Sequence, residues 1–177
     1  MVFAYSFRFS ARCVLICALA FTAIAPAHAA NRDDDAFRAA ADAFRRGQAS
    51  KVDRLADQLK SYPLAPYVQY WQLKLKLEDA DTATVGAMLA RNDGLLLAER
   101  LRNDWLRLLG KRNQWDEFFA EYPRLVAEDP DVTCLALQGR WRRGDEAALV
   151  EARGFWTAPR DIPDACMLLI ETQIADG

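Results

Sequence analysis

Arg45-Arg46-Gly47-Gln48, Lys111-Arg112-Asn113-Gln114 and Arg142-Arg143-Gly144-Asp145 are three copies of one pattern. Two bases suit the negative end of a helix, a Gly or Asn takes the left-handed backbone position that ends it, and a polar residue follows. The copies start 66 and 31 positions apart, and a weaker counterpart, Lys76 to Ala80, falls midway through the longer gap. Turn points near 46, 79, 112 and 143 give a repeat of 31 to 34 residues, the length of a helical hairpin. Hairpins of that kind stack side by side into a superhelix, because each buries its apolar face only against its neighbours. The formal tetratricopeptide pattern is not met, so the repeat is degenerate. A compact helical bundle is the competing arrangement.

The segments between the turns carry helical periodicity. Phe37, Ala40, Ala41 and Phe44 fit i, i+3, i+4, i+7, with Asp33 to Asp35 at the favourable N-terminal end. Val52, Leu55, Ala56 and Leu59 form a second stripe. Tyr62-Pro63-Leu64-Ala65-Pro66 is a turn, with Pro66 at a first helical position, and Tyr67, Tyr70, Trp71 and Leu77 continue a third helix. Asp81 or Thr82 caps a fourth with Val85, Met88 and Leu89. After Asn92-Asp93-Gly94, the residues Leu97, Leu101, Trp105, Leu108 and Leu109 make the longest stripe. Asn113 can cap a short sixth helix with Trp115, Phe118, Phe119 and Tyr122, ended or bent by Pro123. Asp129-Pro130 opens a seventh with Cys134, Leu137 and Trp141. Ala148, Ala152, Phe155 and Trp156 belong to an eighth, and Cys166, Leu169 and Ile170 begin a ninth. No stretch alternates with period two. The expectation is an all-α chain of about nine helices, an α-solenoid of antiparallel hairpins. The ninth helix has no partner, so the superhelix is expected to be incomplete at its C-terminal end.

Residues 1–29 have the three parts of a secretory signal. Arg8 and Arg12 give a positive start, Cys13 to Ile24 is an apolar run of 12, and Ala27-His28-Ala29 is a cleavage site before Ala30. The run is too short to cross a bilayer, which needs about 20 apolar residues. The expected mature chain, 30–177, is exported to the periplasm and has no integral membrane segment. Of 23 basic and 25 acidic residues, the signal takes two bases, leaving a net charge of −4. A mixed, mildly acidic surface argues against nucleic acid or an anionic membrane as the main partner.

The single histidine, His28, lies inside the signal. The mature chain then lacks Ser–His–Asp and Cys–His catalysis and His-ligated zinc. No cofactor or metal is expected. Asp79-Ala80-Asp81 starts like a calcium loop, but Thr84 stands where its Gly is needed and Ala90 where its Glu is needed. Cys134 and Cys166 remain as an even pair in an oxidising compartment, where a disulfide is the natural expectation. Two free core thiols or a reactive nucleophile are the competing readings.

Other constellations have two readings each. Trp71, Trp105, Trp115, Trp141 and Trp156 fit the apolar stripes, although tryptophan also stacks on sugar rings. Asp33-Asp34-Asp35, Glu78-Asp79-Asp81 and Glu128-Asp129-Asp131 sit at helix starts, where acids cap and offset the dipole; glycosidases need paired carboxylates too. Glu117 and Glu121, one turn apart, are expected to be solvated. Arg45, Arg46, Lys111, Arg112, Arg142 and Arg143 would line one edge of a superhelix, either as dipole compensation or as a hold on acidic peptide stems or glycan carboxylates.

Tyr62-Pro63-Leu64-Ala65-Pro66-Tyr67 with Tyr70-Trp71 resembles the N-terminal helical region of the soluble lytic murein transglycosylases. Leu101-Arg102-Asn103-Asp104-Trp105-Leu106, Lys111-Arg112-Asn113-Gln114-Trp115 and Glu121-Tyr122-Pro123 are similar to the same region, as are Cys134, Arg142-Arg143-Gly144-Asp145, Trp156 and Pro163-Asp164-Ala165-Cys166. The resemblance runs from about residue 33 to 170. It implies a right-handed superhelix forming part of a U-shaped or ring-like domain. It also implies that catalysis belongs to a separate lysozyme-like domain, whose single Glu cleaves the MurNAc–GlcNAc bond to a 1,6-anhydro product. No counterpart of that domain is present here, so no residue takes the catalytic role. The family disulfide carries over onto Cys134 and Cys166. The implied function is a non-catalytic domain that engages peptidoglycan strands. A stand-alone periplasmic repeat adaptor for protein partners is the alternative.

Overall fold

The computed structural model describes residues 26–127, 129–155 and 162–176. Nine α-helices and no strand occur among the described residues: α1 (Pro26–Arg45), α2 (Ala49–Gln58), α3 (Ala65–Lys74), α4 (Thr82–Arg91), α5 (Leu96–Lys111), α6 (Trp115–Glu121), α7 (Pro130–Arg142), α8 (Ala147–Ala152) and α9 (Asp164–Asp176). Short 3-10 turns follow α3 at Leu77–Asp79, α6 at Tyr122–Arg124 and α8 at Arg153–Phe155. Most of the expected signal segment, and Trp156, lie outside the described residues.

The helices form two layers. The odd helices stack in order, α1 on α3, α3 on α5, α5 on α7 and α7 on α9. The even helices lie against them, α2 on α1 and α3, α4 on α5, α6 on α5 and α7, α8 on α7 and α9. This is a superhelix of hairpins. Each odd helix buries side chains toward both neighbours, as a stacked repeat requires. Val52, Leu59 and Val68 fill the first hairpin; Val85, Leu97, Leu101, Leu106, Leu109, Phe118 and Val132 fill the middle; Leu137, Ala148, Ala152 and Leu169 fill the last. Trp71 joins the first two clusters, stacking on Phe44 with ring centroids 5.7 Å apart.

The three quoted turns share one hydrogen-bond geometry. Gln48 N–H donates to the Ala43 carbonyl (2.9 Å), Gln114 N–H to Leu109 (3.0 Å) and Asp145 N–H to Arg140 (3.1 Å). One residue earlier, Gly47, Asn113 and Gly144 have φ of 68°, 56° and 88° and donate to Phe44, Gly110 and Trp141. This paired closure uses left-handed backbone, which Gly or Asn supplies most cheaply. Asn113 therefore ends α5 rather than capping α6, whose N-cap is Gln114 without a side-chain bond. The weaker Lys76–Ala80 turn has no such residue; a 3-10 turn reverses the chain there.

In the whole sequence α1 starts at Pro26 and Asp33 to Asp35 lie beyond its first turn; in a chain cut before Ala30 they stand near its start. They bond outward: Tyr62 Oη donates to Asp34 (2.6 Å), and Arg38 pairs with Asp35 (3.2 Å). The other two acid clusters do cap helices, Asp81 accepting from Thr84 N–H (2.7 Å) and Asp129 from Val132 N–H (3.2 Å).

Candidate functional site

All odd-to-even turns lie along one edge, and cations there reach back to the preceding repeat. Lys76 Nζ pairs with Asp53 of α2 (2.7 Å). Arg112 donates to the Glu78 carbonyl, and Arg143 pairs with Asp116 of α6. The guanidinium of Arg143 also sits 4.7 Å from the Phe119 ring centre. Of the six cations in the three quoted turns, three are held: Arg112, Arg143, and Arg45 on Asp42. Arg46 is the homologue of Arg112 and Arg143 but belongs to the first described hairpin. It has no side-chain partner among the described residues, and neither do Lys111 and Arg142.

On the even face, α2 and α4 flank α3 and leave a groove over it. Gln69, Gln72 and Leu73 of α3, with Lys76 just past its end, line one side. Ala80, Thr84, Met88 and Arg91 supply the α4 side, and Asp79 closes the turn end. The volume is about 470 Å³, within the range of small-ligand sites. A smaller continuation of about 120 Å³ runs over Ala56, Asp57 and Lys60 toward α2, sharing Gln69 and Gln72. Lys76 and Gln72 Nε2 both donate to Asp53, and those hydrogen bonds, the Lys76 bond foremost, hold its carboxyl below the ordinary range.

A larger cleft, about 830 Å³, opens on the opposite edge between Leu95, Leu96, Glu99, Arg102, Arg124 and Val126. Its wall is a charge cluster centred on buried Arg102, with Asp93 exposed at its rim. Arg102 is 3% exposed; its Nε donates to Glu121 (2.7 Å), one terminal nitrogen to Glu99 (3.0 Å) and the other to Asp93 (3.4 Å). Burial alone would lower the guanidinium pKa, but the three carboxylates outweigh it and raise it. Glu99 also accepts the Val126 and Ala127 N–H groups, 2.8 and 3.0 Å away, and so ties the α6–α7 connection to α5. Glu121 is 16% exposed, not solvated as its surface-like spacing suggests. The signal for this cluster was present in the sequence, because Ala98, Arg102, Trp105 and Leu109 place a charge on the apolar stripe of α5.

Cys134 and Cys166 are joined by a disulfide between α7 and α9, with Cα atoms 5.0 Å apart and both residues fully buried. Trp71, Trp105, Trp115 and Trp141 all pack in the helix contacts. No three His, Cys, Asp or Glu side chains converge as a metal site among the described residues. No described helix is long and apolar enough to cross a membrane.

No protein-family model matches the chain. The soluble lytic murein transglycosylase of Escherichia coli (strain K12) is 26% identical over 166 residues, 92% of this chain and 25% of that protein. The Salmonella typhimurium (strain LT2) protein of the same description matches with the same identity and coverage. Among solved structures, the complex of the 70-kDa soluble lytic transglycosylase with bulgecin A superimposes with a TM-score of 0.66 at 24% identity, over 83% of this chain and 24% of that one. This chain is similar to the N-terminal superhelical domain of the soluble lytic murein transglycosylases. It spans about a quarter of the length of these transglycosylases. The solved transglycosylase supports the fold, and the sequence relatives align over almost all of it.

Proposed function

We propose that this chain is a non-catalytic, peptidoglycan-engaging superhelical domain of a lytic-transglycosylase-type protein. It acts in the periplasm after removal of residues 1–29, and bond cleavage is carried by a lysozyme-like domain outside residues 30–177. The observation that carries this reading is the similarity to murein transglycosylases over 92% of the chain. The stacked hairpins fit a scaffold, since such stacks present an extended surface built jointly by successive repeats.

A second reading, a stand-alone repeat adaptor for protein partners, is favoured by one feature. Leu64, Tyr67, Leu95, Leu96, Val126 and Ile162 are exposed, and all lie where an even helix passes to the next odd one. Exposed apolar side chains aligned along one edge suit a protein interface.

Cosedimentation of the purified chain with murein sacculi separates the two. The transglycosylase-type reading expects the chain in the sacculus pellet and no release of 1,6-anhydro-muropeptides. A chain that stays in the supernatant yet captures defined periplasmic proteins establishes the adaptor. Release of anhydro products by the chain alone overturns the non-catalytic assignment.

A further inference from the structure

We propose that the groove over α3 binds an N-acetylated sugar chain that carries carboxylates, with Arg91 as the carboxylate anchor. The proposal rests on the murein-engaging reading and adds a place for the glycan on this domain.

The groove has the parts such a ligand needs. Leu73, Ala80 and Met88 give it an apolar floor, suited to sugar-ring faces and acetamido methyls. Gln69 is exposed, and its amide has no partner among the described residues. Gln72 spends its NH₂ on Asp53 and keeps its carbonyl free to accept from a hydroxyl. Amide side chains beside an apolar floor match a ligand rich in hydroxyl and acetamido groups.

The charges fix the polarity of the site. Three cations line the combined groove. Lys60 is paired with Asp57 (2.9 Å) and Lys76 with Asp53 (2.7 Å). Arg91 has no partner among the described residues. Asp79, at the Lys76 end, makes that end unfavourable for an anion. A carboxylate is therefore directed to the Arg91 end, where a guanidinium offers two parallel N–H donors. A polyphosphate chain is a poor fit, because it needs several unpaired cations in register. A neutral glycan would leave Arg91 unused.

The competing role for Arg91 is compensation of the α4 dipole, in whose last turn it lies. A binding assay distinguishes the two. The purified full chain is titrated with murein glycan strands freed of peptide by an amidase, which carry lactyl carboxylates, and with an uncharged N-acetylglucosamine oligomer. Arg91→Glu and Gln69→Ala alter exposed side chains, and thermal melting checks that both variants keep the fold. Lys111→Glu, on the turn edge outside the groove, is the charge-matched control.

The expected result is a loss of about tenfold or more in affinity for the murein strands with R91E, a smaller loss with Q69A, and no change with K111E. R91E should leave binding of the uncharged oligomer unchanged. Equal weakening by R91E and K111E overturns the site in favour of general charge attraction. Equal weakening of both ligands by R91E overturns the carboxylate role. Undiminished strand binding by R91E overturns the groove while leaving the murein reading intact. A wild-type chain that binds neither the strands nor sacculi overturns the murein reading itself.

Discussion

Arg143, the residue that closes α7, pairs with Asp116 in the first turn of α6 while its guanidinium covers the Phe119 ring at 4.7 Å. One side chain thereby ties the end of one hairpin to the start of the even helix before it. Arg112 repeats the device through the Glu78 carbonyl, and Lys76 does so through Asp53. The turns are consequently a seam between repeats as well as chain reversals.

Truncating the seam should loosen it measurably. Arg143→Ala is expected to lower stability by about 1 kcal/mol, combining an exposed ion pair with a cation–ring contact. Asp116→Ala should cost less, roughly 0.5 kcal/mol, because the ring contact survives. Urea denaturation of both variants and of the double variant measures the coupling. A loss for Asp116→Ala equal to that for Arg143→Ala would remove the role assigned to Phe119.

Arg102 is the one charged residue that is buried among the described residues. Arg102→Met leaves Glu99 and Glu121 side by side without their cation, and a loss of about 3–5 kcal/mol is expected. Arg102→Lys should rescue only part of it, since an ammonium cannot reproduce the fork to three carboxylates. Pairing Arg102→Met with Glu121→Gln should recover part of the loss. Chemical denaturation reads each step, and a near-neutral Arg102→Met would show that the cluster is not closed in solution.

How far the sequence reveals such features depends on how local they are. The turn motif was legible because Gly47, Asn113 and Gly144 satisfy a backbone requirement fixed within six residues. The helix count was legible for the same reason, periodicity being local. Asp33 to Asp35 mark a helix start only in a chain cut before Ala30, because in the whole sequence α1 runs back to Pro26. Glu121 misled because its partner, Arg102, is 19 positions away and on another helix. The groove over α3 was not legible at all. It depends on how far α2 and α4 stand apart, which no spacing along the chain encodes.

Two glycines should respond in opposite directions. A Cβ at Gly139 would meet Trp115 at 2.6 Å and Phe119 at 2.9 Å, both aromatic rings packed against the core. Gly139→Ala is expected to cost about 1–3 kcal/mol through overpacking. Gly86, in the middle of α4, has nothing within 4 Å, so Gly86→Ala should stabilise by about 0.5–1 kcal/mol. Thermal melts of the two variants should shift to opposite sides of wild type.

Acid sensitivity follows from Asp53 and Asp81. Hydrogen bonds from Lys76 and Gln72 depress the carboxyl of Asp53, and the Thr84 N–H and hydroxyl depress that of Asp81, both from an ordinary value of 3.8. A depressed carboxylate stabilises the fold fully above its unfolded value, and this is lost as pH falls through the folded one. The melting temperature should be flat from about pH 7 to 5 and fall below about pH 4. Asp53→Asn should shrink that fall. An acid limb unchanged in Asp53→Asn would show that other carboxylates govern it.

Reduction should matter at the α7–α9 end. The Cys134–Cys166 link spans 32 positions and should contribute roughly 3–4 kcal/mol by restricting the unfolded chain. Intact mass with and without reductant should differ by two hydrogens in chain recovered from the periplasm. Equal masses would show that the thiols are free there.

Amide hydrogen exchange with and without soluble murein glycan strands decides whether this superhelix engages murein. Protection is expected in α3 and α4, residues 65–91, with the cleft at Leu95, Leu96 and Val126 unchanged. Exchange identical in the two samples, at strand concentrations that saturate an active transglycosylase, would contradict that engagement.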